Sequence, residues 1–167
     1  MIEIRQATAN DLPAMLEIYN HIILTTTAVY DYEPHTLEMR NKWFKEKQEK
    51  QFPVFVAVKN DTIVGFSSYG TFRAWEGFKF TVENSIYVAP DYRGQGIGKL
   101  LLPPLIEAAS KQGIHAIVAG IDATNLTSIA LHEKYGFKEV ACFKEVGYKF
   151  DRWLDLVFME RIIEVKM

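Results

Sequence analysis

Five side chains able to move protons or hold a ligand stand out by type and spacing. Asn125, Ser128, His132 and Tyr135 recur in steps of three, four and three, which puts them on one face of a helix that would be apolar if it served only the core. Glu83 lies in the alternating run Thr81-Val82-Glu83-Asn84-Ser85-Ile86-Tyr87-Val88, so it shares a strand face with Ser85 and Tyr87. A carboxylate there acts as a general base if burial lifts its pKa toward neutrality, and is otherwise an ordinary exposed strand acid. Asn125 fits a helix N-cap as well as a ligand contact. His132 fits a satisfied structural histidine as well as a catalyst, and Tyr135 fits packing on a sheet as well as proton donation. Arg73-Ala74-Trp75 follows a predicted strand. There an arginine fork suits a carboxylate or phosphinate, and a plain surface loop is the rival reading.

Between the Glu83 strand and a predicted helix lies Arg93-Gly94-Gln95-Gly96-Ile97-Gly98, followed by Lys99. Glycines at alternate positions let backbone N–H groups approach an anion, and the helix adds its positive end. With Arg93 and Lys99 beside it, the loop suits a diphosphate. It is not a Walker A loop, because Arg93 stands where the upstream glycine belongs and Leu100 follows Lys99 in place of Ser or Thr. Nor does it fit a dinucleotide fingerprint, since Lys99 occupies the position that needs a small residue.

The elements that must position these groups follow in order. Ile2 to Ala7 reads as a strand, and Asn10 as the cap of a helix with Leu12, Met15, Leu16, Tyr19 and Ile23 on one stripe and Pro13 in its first turn. Thr25 to Pro34 is a loop. Thr36 caps a second helix that runs through Trp43 and Phe44 to about Lys50, with the Lys/Glu run 45–50 as its solvated face. Strands at 53–59 and 62–70, turning at Asn60-Asp61, form a hairpin, and a third runs from Phe80 to Val88. The helix after the glycine loop stops at Gly113, and Pro103-Pro104 inside it predicts a kink. A strand at Ala116 to Ile121, a helix at Leu126 to Tyr135 closed by Gly136, and strands near 138–150 and 154–163 complete an α/β (α+β) order.

With 167 residues and no linker, repeat or low-complexity stretch, residues 1–167 form one domain. The composition is 49% hydrophobic and 13% aromatic, as in a folded globular protein. A net charge of −2 gives no field for nucleic acid, and no apolar run is long enough to span a membrane. The lone Cys142 and the lack of a charged leader before an apolar stretch predict a cytoplasmic protein. Cys142 reads as a small core residue. His21, His35 and His115 are scattered, and no His/Cys/Asp/Glu cluster has metal-ligand spacing, so no metal is expected.

Arg93-x-x-Gly96-x-Gly98 after a strand, with Asn125 opening a later helix and Tyr135-Gly136-Phe137 closing it, resembles the acetyl-CoA motif of the GNAT-type N-acetyltransferase superfamily. Four stretches extend the resemblance to its phosphinothricin and methionine sulfoximine acetyltransferase branch over nearly the whole chain. They are Asp11-Leu12-Pro13 with Ile18-Tyr19-Asn20, Thr25-Thr26-Thr27-Ala28, the strand Thr81 to Val88, and Lys149-Phe150-x-Arg152-Trp153-Leu154-Asp155. The chain departs from the branch at Pro103-Pro104 and at Tyr135, where close relatives often carry leucine.

The resemblance implies a mixed, mostly antiparallel, twisted sheet of six to seven strands flanked by about four helices. It implies acetyl-CoA as co-substrate, with Ile86, Tyr87 and Val88 offering backbone partners to pantetheine and Arg93, Gly94, Gln95, Gly96, Ile97, Gly98 and Lys99 holding the diphosphate. Asn125 and Ser128 would complete that cofactor site. Glu83 would be the base, His132 would lie near the reacting centre, and Tyr135 would protonate the departing thiolate. Arg73, Ala74, Trp75, Glu83 and Thr27 would contact an amino-acid-like acceptor. The expected reaction is direct acetyl transfer to an α-amino group, helped by a backbone N–H near Val88. Acetylation of a protein N-terminus, an aminoglycoside or a polyamine, and a non-catalytic acyl-CoA sensor, are the alternatives. Relatives of the branch are commonly dimers, which points to a homodimer with Trp153 and the last strands at the contact.

Overall fold

A computed structural model describes residues 1–164. Seven strands form one sheet: β1 (Ile2–Gln6), β2 (Val54–Lys59), β3 (Thr62–Thr71), β4 (Thr81–Val88), β5 (Ala116–Asp122), β6 (Lys138–Lys149) and β7 (Arg152–Ile162). Their order across the sheet is β1-β2-β3-β4-β5-β7-β6. Every neighbouring pair is antiparallel except β4 and β5. Four α-helices, α1 (Leu12–Thr25), α2 (Leu37–Glu49), α3 (Ile97–Lys111) and α4 (Leu126–Lys134), pack on its faces. The expected class, strand number and helix number all hold.

The alternation of side chains along the strands sorts the helices between the two faces. Val54, Val56, Phe66 and Tyr87 cluster with Leu12, Met15, Ile18 and Ile22 of α1 and Phe44 of α2. Ala57 and Val64 pack instead on Ile97 and Leu101 of α3, while Val82, Ile117, Ala119 and Met159 meet Leu102, Leu105 and Ala109. Thus Glu83, Ser85 and Tyr87 take the α1/α2 side of β4, and Val82, Asn84 and Ile86 take the other.

Three local expectations need correction. The start of α1 is organised by Asp11 rather than Asn10: its carboxylate accepts the Thr8 N–H at 2.7 Å and pairs with both Arg5 terminal nitrogens at 2.7 and 2.9 Å. Lys47 is not part of a solvated face. Arg40, Phe44 and Lys47 fall at i, i+4 and i+7, so all three turn inward while Lys45, Glu46, Gln48, Glu49 and Lys50 stay exposed. Cys142 is only partly buried, packed against the core from the edge strand β6.

Pro103 and Pro104 lie inside α3, which stays helical through both. Pro103 has no N–H to give the Lys99 carbonyl four residues back. The Tyr135 hydroxyl donates to that carbonyl instead, at 3.0 Å. A residue from the end of α4 therefore completes a bond that the sequence of α3 leaves open. Thr36 caps α2 as expected, accepting the Met39 N–H at 3.2 Å, and the β2–β3 hairpin turns at Asn60 and Asp61 with φ of 49° and 60°.

Candidate active site

The parallel pairing of β4 with β5 lasts only from Thr81–Ala116 to Glu83–Val118. Past Glu83 the strands separate: β4 runs on to Val88 bonded to β3 alone, and β5 runs on to Asp122 bonded to β7 alone. The backbone edge of residues 84–88 that faces β5 is thus left open at the sheet centre, where an extended ligand can pair with it. Ile86, Tyr87 and Val88 all lie on this edge.

The loop after β4 supplies the anion cradle. Gly94 and Gly96 have φ of 76° and 77°, a left-handed conformation that only glycine adopts without strain, and a Cβ on either would meet no atom within 4 Å. Gly98 is fixed for another reason, since its Cβ would come 2.9 Å from Leu131 of α4. Arg93 and Lys99 are exposed and make no ion pair among the described residues. The Gln95 side chain is tied to Lys59 at 2.9 Å, and the Ile97 side chain is buried, so Ile97 can offer a ligand only its backbone. Open amides at a helix start between two free cations fit a diphosphate.

Glu83 stands where β4 and β5 part. Its Oε1 lies over Gly120 of β5, where a Cβ would be 3.0 Å away. Burial pushes its carboxyl above the ordinary carboxylate pKa, and the Arg73 guanidinium works the other way. Arg73 is thus the one member of the 73–75 segment that acts on Glu83. Ala74 and Trp75 are exposed, Trp75 to 70%. Thr27 sits in a loop pinned by Lys149, whose buried ammonium donates to the Ile23 and Val29 carbonyls at 2.6 and 2.7 Å.

Of the α4 residues, His132 lies across β4 from Glu83. Asn125 caps α4 by accepting the Ser128 N–H at 3.2 Å. His132 is 3% exposed, with Nδ1 2.7 Å from the Ser128 carbonyl and Nε2 3.0 Å from Asn84 Nδ2. That pattern fits the neutral ring with Nδ1–H donating and Nε2 accepting, and burial holds its pKa below the usual histidine value. Because Asn84 and Glu83 take opposite faces of β4, the structure does not bring His132 to the Glu83 carboxylate. It ties α4 to β4 across the gap instead. The Asn84 Oδ1 at the start of the open edge is buried and has no hydrogen-bond partner among the described residues, a place for a ligand donor.

Sequence reasoning missed Arg40, Lys47, Asn84 and Gly120. The first two were legible as an inward i, i+7 pair on α2, but Asn84 and Gly120 matter only through strand neighbours far away in the chain. Among the described residues no group of three His, Cys, Asp or Glu side chains is placed to hold a metal, and no helix is long and apolar enough to cross a membrane.

Residues 4–158 match the acetyltransferase (GNAT) domain family. The chain is 42% identical over 157 residues to an L-methionine sulfoximine/L-methionine sulfone acetyltransferase of Salmonella typhimurium, covering 94% of this chain and 92% of that one. It is similar to the crystal structure of a ribosomal-protein-alanine N-acetyltransferase from Brucella melitensis, with 47% identity and a TM-score of 0.95 over 96% of this chain and 99% of that one. It is also similar to a phosphinothricin acetyltransferase from Sinorhizobium meliloti in complex with acetyl-CoA, at 34% identity and a TM-score of 0.95, covering 97% and 88%. A family match over most of the chain thus coincides with an open central strand edge and a glycine turn suited to a diphosphate, and the chain belongs to the GNAT family as an acetyl-CoA-dependent N-acetyltransferase.

Proposed function

We propose that the protein acetylates the α-amino group of a small amino acid related to methionine sulfoximine, methionine sulfone or phosphinothricin. The observation that carries this is the Glu83 carboxyl, raised by burial, set over Gly120 at the point where β4 and β5 part, with the Arg73 charge acting on it. The relatives named for those acceptors support it.

Acetyl-CoA supplies the activated acetyl group. The edge of β4 from Ile86 to Val88 holds its extended arm, residues 93–99 hold its diphosphate, and Asn125 and Ser128 at the start of α4 close that side. Glu83 takes a proton from the acceptor ammonium, directly or through water, and its raised pKa suits the transfer. A backbone N–H near Val88 stabilises the developing oxyanion. The free amine attacks the acetyl carbonyl and the C–S bond breaks. Tyr135, its hydroxyl turned away from the Lys99 carbonyl, gives the leaving sulfur its proton, and the second proton lost by the attacking nitrogen returns through water to the Tyr135 oxygen. Arg73 pairs with the acceptor carboxylate, with Ala74, Trp75 and Thr27 around it. His132 acts as a positioning residue through Asn84, because both its ring nitrogens are engaged.

The Brucella relative favours a second reading, acetylation of a protein N-terminal alanine. An acceptor panel of amino acids, amino-acid sulfones, phosphinothricin, Ala-starting peptides, aminoglycosides and polyamines, read by free CoA release, separates the two. Turnover of the peptides without the amino acids overturns the first, and CoA binding without turnover of any amine leaves an acyl-CoA sensor. We also propose a cytoplasmic homodimer. Val140, Phe143, Val146, Tyr148, Phe150 and Trp153 are large apolar side chains left exposed on β6, β7 and their turn, distributed over both faces of this edge of the sheet. Sedimentation of the intact chain tests the dimer.

A further inference from the structure

A cavity of about 380 Å³ lies between α2 and the β3–β4 face and carries two cations, Arg40 and Lys47, that make no salt bridge among the described residues. Arg40 is 3% exposed, yet among the described residues it has no ion pair and its Nε has no hydrogen-bond partner. Its Cζ lies 4.3 Å from the Tyr19 ring centre, 4.7 Å from Trp43 and 5.8 Å from Phe66. Three aromatic faces hold the guanidinium in place but accept none of its N–H groups in the plane. Lys47, two turns along the same inward face of α2, donates to the Tyr69 carbonyl at 2.8 Å. Burial first, then the Lys50 and Arg40 charges, push its ammonium down to about 8, with the Glu46 carboxylate working the other way. Glu46, the acid in the cavity wall, is exposed and makes no salt bridge with either among the described residues. A buried guanidinium in this state, with a partly buried ammonium on the same helix face, calls for an anion.

Ser68 and Ser85, which face each other across β3 and β4, complete the cavity. Ser85 stands two residues from Glu83 on the same strand face, roughly 7 Å along the strand at the usual rise. That is about the separation of an α-amine from the far end of a glutamate-length side chain.

We infer that this cavity binds an anionic side-chain terminus of the acceptor, a carboxylate or phosphinate held by Arg40 and Lys47, while the α-amine faces Glu83. The inference rests on the amino-acid reading and adds a charge preference to it. Phosphinothricin and methionine sulfone test it as a pair, because a methylphosphinate and a methylsulfone have nearly the same shape and differ in charge. Turnover of either upholds the amino-acid reading, and the ratio of their kcat/KM values tests the cavity alone.

The wild-type enzyme should prefer the phosphinate, and Arg40→Gln should cut that preference by about 30-fold or more, with the loss in KM. A folding defect lowers both substrates together and leaves the ratio unchanged, so the ratio survives partial destabilisation. If Arg40→Gln does not fold, Lys47→Gln is measured in the same way and should also cut the ratio. A wild-type preference for the sulfone, or an unchanged ratio in a folded variant, overturns the inference. So does inorganic phosphate that perturbs the Trp43 fluorescence without competing against phosphinothricin, because the site then takes a free anion.

Discussion

Removing the Tyr135 hydroxyl tests whether α3 borrows a hydrogen bond from α4. In the wild type this hydroxyl donates to the Lys99 carbonyl, which Pro103 cannot serve. Tyr135→Phe leaves that carbonyl to water in a partly exposed place, so the cost is that of an ordinary hydrogen bond, about 0.5–1.5 kcal/mol. For a chain of this size that lowers the melting temperature by roughly 1–6 °C. Pro103→Ala restores the missing N–H and removes a helix-interior proline, a gain of up to about 3 kcal/mol. In that background the Lys99 carbonyl has its own helical partner, and Tyr135→Phe should cost close to nothing. The coupling energy of the cycle is therefore about 1 kcal/mol, above the scatter expected of independent sites. Urea unfolding of the four proteins, followed by far-UV circular dichroism, measures it, and a constant m-value is required. If Tyr135→Phe costs the same with Pro103 and with Ala at that position, the substitute-bond account is wrong. The same proteins separate structure from chemistry. A proton-donating Tyr135 predicts that kcat falls about 100-fold or more in both backgrounds.

Three further outcomes follow from the geometry. Glu83→Gln should lower kcat/KM by about 100-fold or more. In the wild type, activity should fall with pH as the carboxylate is protonated, at a midpoint above the ordinary value of 4.5, and full activity of the Gln variant at all pH values would exclude the base role. Gly120→Ala puts a Cβ 3.0 Å from Glu83 Oε1, so kcat/KM should drop about tenfold or more while the melting temperature moves by no more than about 2 °C. An unaffected rate would show that the carboxylate does not need that space. The buried neutral His132 has a folded pKa below its unfolded value of 6.5, so the unfolded chain binds more protons in acid and stability must decline as pH falls from 7 to 5. His132→Gln should flatten that decline, and an equally steep melting-temperature profile in the variant would refute the assignment.

The chain spelled out its local structure well. The glycine turn was legible because φ near 76° at Gly94 and Gly96 is a property of the residue itself, and the Asn60-Asp61 hairpin and the Thr36 cap follow the same local rules. Face assignments on β4 were legible because side chains alternate along any strand. The Lys/Glu run 45–50 was read too broadly, because charge alone suggests solvent while the position of Lys47 on the inward face of α2 depends on what α2 packs against.

What only the tertiary structure decided is where β4 and β5 part, since that depends on register between strands separated by all of α3. The same holds for the space above Gly120, the Asn84 partner of His132, the carbonyl that receives the Tyr135 hydroxyl, and the buried Arg40 Nε that finds no hydrogen-bond partner among the described residues. The sequence by itself determined conformations, periodicities and the kind of ligand the glycine turn suits, because those arise from covalent geometry and neighbouring residues. Which buried donors and charges find partners is set by contacts between distant segments, and there the fold had the decision.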